Sequence, residues 1–176
     1  MILGCILAGG QSTWFGSDKA LAELGGHTLL ARAVDALSGW CEYVVVAGRE
    51  TAPAPTVPDW PRRGMGPLAG IAAALHLALD EGYKTVLTCG VDSMALPENL
   101  LKILDPAPAY VAAQPVIGRW PASASAALDA LLESEARHSM LAFVEMIGAR
   151  AVTLAIEPSN INTLADLRAA EARHGL

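Results

Sequence analysis

Ile6-Leu7-Ala8-Gly9-Gly10-Gln11-Ser12-Thr13-Trp14-Phe15-Gly16-Ser17-Asp18-Lys19 decides how the rest of this chain reads. It grows out of a short apolar run, residues 1–7, that predicts a buried first strand over residues 2–7. Paired glycines, Gly9 and Gly10, then turn the chain, a third follows at Gly16, and Asp18-Lys19 closes the segment. A glycine, lacking Cβ, lets backbone amides come close to a ligand. A row of such amides after a strand makes a concavity for anions, and a lysine at its end neutralises phosphate charge. The stretch therefore predicts a triphosphate loop. It is neither a Walker loop, which ends in Gly-Lys-Ser/Thr, nor the dinucleotide fingerprint Gly-x-Gly-x-x-Gly. On these residues alone, a glycine-rich strand-to-helix turn with a solvated lysine remains an equal alternative.

The chain has 176 residues, 53% of them hydrophobic and 17% charged. That excludes a disordered chain and favours a compact α/β protein, a single domain over residues 1–176. Net charge is −6 with no basic block, which argues against a general nucleic-acid or membrane-surface role. No run approaches the ~18 apolar residues of a membrane span. The apolar N-terminus has no basic segment before it and breaks at Gly9, so it reads as a strand in a cytoplasmic protein and not as a signal peptide. Cys5, Cys41 and Cys89 are odd in number and sit apart in apolar runs, as reduced core thiols do. His27, His76, His138 and His174 are equally scattered, without the clustering a closed zinc site needs.

Strand and helix signals alternate along the chain. Thr28 caps a helix over 28–38 that Gly39 stops, and residues 42–47 form a buried strand. The proline-rich segment 51–61 is expected to be irregular, and Pro67 to open a helix reaching 81. A third buried strand is expected over 84–88, then a helix from Pro97 to about 104 and strands at 109–113 and 116–117. Helices over 122–133 and 139–147, a strand over 151–156 and a closing helix over 164–174 complete the pattern. Such alternation predicts a mostly parallel sheet with right-handed crossovers, made mixed by an antiparallel pair within 110–121. Ligands of open α/β sheets bind at the carboxyl ends of the strands. Loops 8–19, 48–66 and 89–97 should then share one rim, with Lys19, Asp59, Arg62, Arg63 and Asp92 upon it.

A nucleoside triphosphate attacked at its α-phosphate needs amides and a lysine around the phosphates, a hard cation such as Mg²⁺, and a carboxylate to hold that cation. Lys19 suits the first task and Asp92, following a buried strand, suits the last. Taken singly, Asp92 also fits a turn cap before Pro97, Asp59 a turn residue, and Arg62 and Arg63 a solvated loop edge. Trp14, Trp40, Trp60 and Trp120 read as packing residues more than as base-stacking platforms. Asn160 and Asn162 alternate in Ser159-Asn160-Ile161-Asn162-Thr163 and would face one side of an extended segment. They fit either a ligand grip or an Asx turn capping the last helix.

Taken together, five ordered motifs resemble the nucleotidyltransferases of the molybdenum cofactor guanylyltransferase type. They are Leu7-Ala8-Gly9-Gly10-x-Ser12 with Gly16 and Asp18-Lys19; Pro58-Asp59 with Gly66-Pro67-Leu68-Ala69-Gly70; Val91-Asp92 with Leu96-Pro97; Gln114-Pro115-Val116, similar to a usual His-Pro-Val/Thr; and Asn160-Ile161-Asn162-Thr163-x-x-Asp166-Leu167. The resemblance implies a three-layer Rossmann-like nucleotidyltransferase fold with a mostly parallel, mixed central sheet. It implies Mg²⁺-dependent transfer of GMP from GTP to the terminal phosphate of molybdenum-molybdopterin, releasing pyrophosphate. By the same resemblance Leu7, Ala8, Gly9, Gly10, Asp59, Gly66, Pro67 and Leu68 would meet the nucleotide. Lys19 would meet the phosphates, Asp92 the metal, and Asn160 and Asn162 the molybdopterin acceptor. It leaves room for a molybdoenzyme or chaperone partner that delivers or receives the cofactor. Leu-Ala-Gly-Gly and Gly-Pro-Leu-Ala-Gly are more typical of the guanylyl than the cytidylyl branch.

Three departures stand out. Trp14 occupies the place of a signature arginine, Ser93-Met94-Ala95 replaces a Met/Thr-Pro-aromatic segment, and Ala47-Gly48 stands where an asparagine that helps read the nucleoside is common. Tryptophan has no planar donor fork, and losing one charge-stabilising donor slows such chemistry on the order of a hundredfold. Two further readings stay open: a nucleotidyltransferase using CTP or another acceptor, and a catalytically weakened nucleotide- or pterin-binding protein.

Overall fold

The apolar hexapeptide Ile2–Leu7 forms β1, the central strand of a seven-stranded sheet. In this computed structural model, residues 1–9, 19–94, 96–155, 159–160 and 164–174 are described. After β1, a single 3-10 turn at Lys19–Leu21 leads into a small hairpin, β2 (Glu23–Leu24) and β3 (His27–Thr28), joined by Gly25-Gly26. Helix α1 (Leu29–Ser38) follows at once, because the Thr28 side chain accepts the Ala31 N–H at 3.0 Å. Its buried positions, Leu29, Leu30, Ala33 and Leu37, recur at helical spacing. Gly39 ends α1, with φ −72° and its N–H on the Leu37 carbonyl.

β4 (Tyr43–Ala47) pairs parallel with β1, Cys5 opposite Val45. The proline-rich segment expected to be irregular contributes a two-residue edge strand, β5 (Thr56–Val57), parallel to β4. Prolines are tolerated there because only one side of an edge strand must pair. Helix α2 (Pro67–Glu81) starts on its proline and is buried on most faces, from Leu68 through Ala78. β6 (Thr85–Gly90) flanks β1 on its other side, again parallel. Beyond it β7 (Ser93–Met94) pairs antiparallel with β11 (Ser159–Asn160), outside the main sheet.

The helix expected after Pro97 is only one turn, α3 (Leu100–Ile103). Pro106 and Pro108 lie just beyond, and a residue preceding proline is disfavoured in helical conformation. β8 (Ala109–Val111) and β9 (Gln114–Pro121) form the antiparallel pair that makes the sheet mixed. β9 is much longer than the dipeptide expected, because it runs along β6 up to Trp120 and Pro121. The helix expected from residue 122 begins as a 3-10 turn, and α4 proper is Ser125–Glu133. α5 (Met140–Met146) is capped by Ser139, whose side chain accepts the Ala142 N–H. β10 (Arg150–Val152) is shorter than its expected span, since its partner β8 offers only three residues. α6 (Leu164–His174) closes the chain. The sheet order is β10-β8-β9-β6-β1-β4-β5.

Two hydrophobic clusters cover the two faces of this sheet. One holds Leu68, Ile71 and Leu75 of α2 with Leu128 of α4 and Phe143 of α5; the other holds Leu30 and Leu37 of α1 with Leu100 of α3. A third, small cluster joins Leu24 and Leu29 to Leu167 and Ala170 of α6. Trp120 is fully buried against Phe143 at 5.1 Å. Its indole N–H donates to Thr88 Oγ1 at 2.9 Å, and Thr88 donates onward to the Val116 carbonyl at 2.6 Å. The three cysteines are free thiols. Burial, reinforced by Asp59, pushes the Cys5 thiol up to about 12. Among the described residues no helix is long and apolar enough to cross a membrane.

Candidate nucleotide site

Because β1, β4 and β6 run parallel, their carboxyl ends open on one rim. A cavity of about 660 Å³ sits there. Its first wall is Leu7 and Gly9 from the end of β1 with Ala47 from the end of β4. The Ala8 N–H extends that ladder by bonding the Ala47 carbonyl at 2.9 Å. Gly48, with φ +88°, then passes back to back with Gly9; a Cβ on Gly48 would lie 2.5 Å from Gly9 Cα.

The second wall is Asp59 with Gly66, Pro67 and Gly70 at the start of α2. A Cβ on Gly70 would meet Leu7 Cδ2 at 2.8 Å and Ala47 Cβ at 3.1 Å, so α2 can seat flush on the strand ends only without one. The Trp60 N–H bonds the Ala69 carbonyl at 3.1 Å and holds the Asp59 loop against the same helix turn. Partial burial pushes the Asp59 carboxyl above the usual carboxylate range, and the Arg63 charge pulls it back.

The third wall joins Gly90, Val91 and Asp92, beyond β6, to Gln114, Pro115 and Val116 of β9. The Asp92 carboxylate folds over the Gly90 α-carbon, since a Cβ there would lie 2.8 Å from Asp92 Oδ1. Ser93 Oγ donates to Gln114 Oε1 at 3.1 Å and ties the two segments together. The β7–β11 register sets Asn160 opposite Ser93, next in the chain to Asp92.

Of the residues singled out in the sequence, Leu7, Gly9, Asp59, Gly66, Pro67 and Asp92 share this one cavity. Ala8 and Leu68 do not line it; Leu68 is 1% exposed and packs in the core behind the wall. The backbone of Lys19 begins the 3-10 turn that packs on α1. Gly10, Trp14 and Asn162 lie outside the described residues. Arg62 is exposed. Arg63 pairs with Glu50 at 2.7 Å, beside a smaller annex of about 220 Å³ that also takes in Gly9, Arg49 and Asp59. Sequence reasoning left Gly70, Gly90 and Gln114 unassigned, although all three stood inside or beside quoted motifs.

The donor set bears on which metal could be held. The cavity offers two carboxylates, Asp59 and Asp92, and among the described residues no group of three His, Cys, Asp or Glu could enclose an ion. That is no protein cage for zinc or calcium. It fits a hard cation that keeps its waters and leans on one or two carboxylates plus ligand phosphates, as Mg²⁺ does.

A model of the MobA-like NTP transferase domain matches residues 4–153. The molybdenum cofactor guanylyltransferase of Acidiphilium cryptum is 38% identical, over 95% of this chain and 92% of that protein. The one from Rhodobacter capsulatus is 35% identical, over 98% and 96%. Among solved structures, molybdopterin-guanine dinucleotide biosynthesis protein A from Archaeoglobus fulgidus superposes with a TM-score of 0.75 at 20% identity, covering 99% of both chains. The 2-C-methyl-D-erythritol 4-phosphate cytidylyltransferase of Thermus thermophilus superposes with 0.62 at 17% identity, covering 100% of this chain and 98% of that one. The shared architecture is the Rossmann-like nucleotidyltransferase fold, and the chain belongs to the MobA-like NTP transferase domain family.

Proposed function

We propose that this chain is a single nucleotidyltransferase domain that moves GMP from GTP to the terminal phosphate of molybdenum-molybdopterin and releases pyrophosphate. The observation that carries this reading is the shared cavity: Gly9 just after β1, Asp59 and Asp92 line one space of about 660 Å³. That size suits a nucleotide-sized ligand. Names of relatives that cover nearly the whole chain support the molybdopterin acceptor.

In this reading the nucleoside lies against Leu7, Gly9 and Asp59, with the start of α2 beneath it. Glycines at 9, 66, 70 and 90 keep side chains out of the way and let backbone approach the ligand. Lys19 and Gly10 serve the phosphates. Asp92 holds Mg²⁺, which when bound neutralises phosphate charge. Asn160, brought beside Ser93 by β11, serves the acceptor together with Asn162. No side-chain nucleophile is required, because the acceptor phosphate is already anionic. The protein's share is positioning and charge stabilisation.

Initial rates of pyrophosphate release with GTP, CTP and ATP against molybdopterin test the assignment. GTP should be preferred, and Asp92→Ala should lower kcat on the order of a hundredfold or more. Preference for CTP would overturn the guanine reading. Unchanged turnover in Asp92→Ala would overturn the metal assignment. Binding of GTP without turnover would identify a nucleotide-binding relative instead.

A further inference from the structure

Beginning next to Asp59 in the chain, three side chains that do not line the cavity form a chain of contacts. Trp60 stacks on His76 with ring centroids 4.7 Å apart and planes tilted by 35°. His76 Nε2 lies 2.9 and 2.8 Å from the two carboxylate oxygens of Asp129. His76 belongs to α2 and Asp129 to α4, so the pair pins the imidazole between two helices. The backbone of Trp60 is tied to the same helix by its bond to Ala69. Ala69 and His76 are seven residues apart, about two turns, and therefore lie on one face of α2.

Asp59 itself is held differently. Burial and the charge of Arg63 act on its carboxyl, but among the described residues no side chain hydrogen-bonds it. Its position follows from the backbone between Pro58 and Trp60. Whatever fixes Trp60 fixes Asp59, and a ligand-reading group must be held to within about 0.5 Å.

We propose that His76, clamped by Asp129 and stacked on Trp60, is a positioning residue that sets the Asp59 carboxylate for the nucleoside triphosphate. This rests on the reading that Asp59 meets the nucleoside. The contacts reach from α4 through α2 to the cavity wall, and none of the three side chains lines the cavity. Their removal should weaken nucleotide recognition while leaving the chemical step and the acceptor side intact.

The experiment compares His76→Ala, the pair His76→Phe with Asp129→Leu, and Asp59→Asn by steady-state kinetics, varying GTP and acceptor separately, with calorimetric GTP binding as a second readout. Loss of an aromatic stack corresponds to about a threefold to tenfold rise in KM for GTP in His76→Ala, with kcat and the acceptor KM within about twofold. The double variant keeps a ring under Trp60 and removes the partly buried charge, so it should restore KM to within about twofold. If His76→Ala fails to fold, Trp60→Leu removes the same stack and should show the same selective rise. An unchanged KM for GTP in His76→Ala with Asp59→Asn impaired overturns the positioning role and leaves the Asp59 reading standing. An unchanged KM in Asp59→Asn overturns both. Equal losses in both KM values and kcat, or no rescue by the double variant, would mark a merely structural contact.

Discussion

Replacing Gly48 by alanine tests how the cavity wall at the end of β1 is built. Gly48 adopts φ +88°, a region where an L-residue costs about 1–2 kcal/mol. The new Cβ would also lie 2.5 Å from Gly9 Cα, whereas carbon atoms rest at about 3.5–4.0 Å. The neighbour is backbone and cannot swing aside. It is also pinned, since Ala8 N–H bonds the Ala47 carbonyl at 2.9 Å just before the contact. Gly9 must therefore retreat by about 1 Å, away from the position where it lines the cavity. Strain and displacement together should cost about 2–4 kcal/mol, which lowers Tm by about 5–15 °C for a chain of this length. A displacement of that size in a positioned ligand can cost on the order of a hundredfold, so KM for GTP should rise by about 10- to 100-fold. Gly82→Ala is the control: Gly82 has φ +82° with nothing within 4 Å of the new Cβ, and it ends α2 at the opposite tip. It should lose about 1 kcal/mol and keep its KM. Thermal melts and GTP saturation curves on both variants suffice. Equal KM values would refute the claim that the close approach of Gly48 to Gly9 shapes the proposed nucleotide site.

Thr88→Val should strand the buried Trp120 indole N–H and release the part-buried Val116 carbonyl, and cost about 1–3 kcal/mol in urea melts, with Thr88→Ser restoring most of it. For Asp59 the folded carboxyl titrates above its unfolded value because of burial, so ionising it costs stability as pH rises past the usual carboxylate range. Asp59→Asn should therefore melt higher than the parent at neutral pH and match it in acid; a gain that grew on acidification would contradict the burial argument. Trp14→Arg, restoring a planar donor fork, should raise the rate of pyrophosphate release by about tenfold or more, and an unchanged rate would show that the loop needs no second cation there.

Those elements whose signals are local were legible. Thr28 and Ser139 are caps whose side chains bond the third residue onward. Pro67 opens α2, and the all-apolar β1 and β4 are central strands. What escaped depends on partners far away in sequence. β5 exists because the Val46 N–H finds the Pro55 carbonyl at 2.9 Å, a bond no proline-rich pattern announces. β9 is long because β6 lies alongside it, and β10 short because β8 is short. The rim was legible from topology, and Asp59 and Asp92 do meet in one cavity. Gln114 was not assigned, because its place opposite Ser93 follows from an antiparallel crossover whose register single-sequence patterns do not encode.

In the proposed reading, Ala47-Gly48 bears on how a nucleoside is recognised. The resemblance leads one to expect an asparagine at one of these two positions, and at Gly48 there is no room for a side chain. At 47 the small alanine side chain lines the cavity beside Gly70 of α2, where a Cβ would lie 3.1 Å from it. At 48 the backbone of Gly9 fills the space a side chain would take. The polar work of that wall then falls on backbone groups and on Asp59, the one carboxylate that reaches both the main cavity and its annex. A site with fewer polar side chains depends more on the placement of those it keeps. In the proposed reading, this is what gives the contact chain Asp129 on His76 on Trp60 its consequence: it bears on the backbone that carries Asp59.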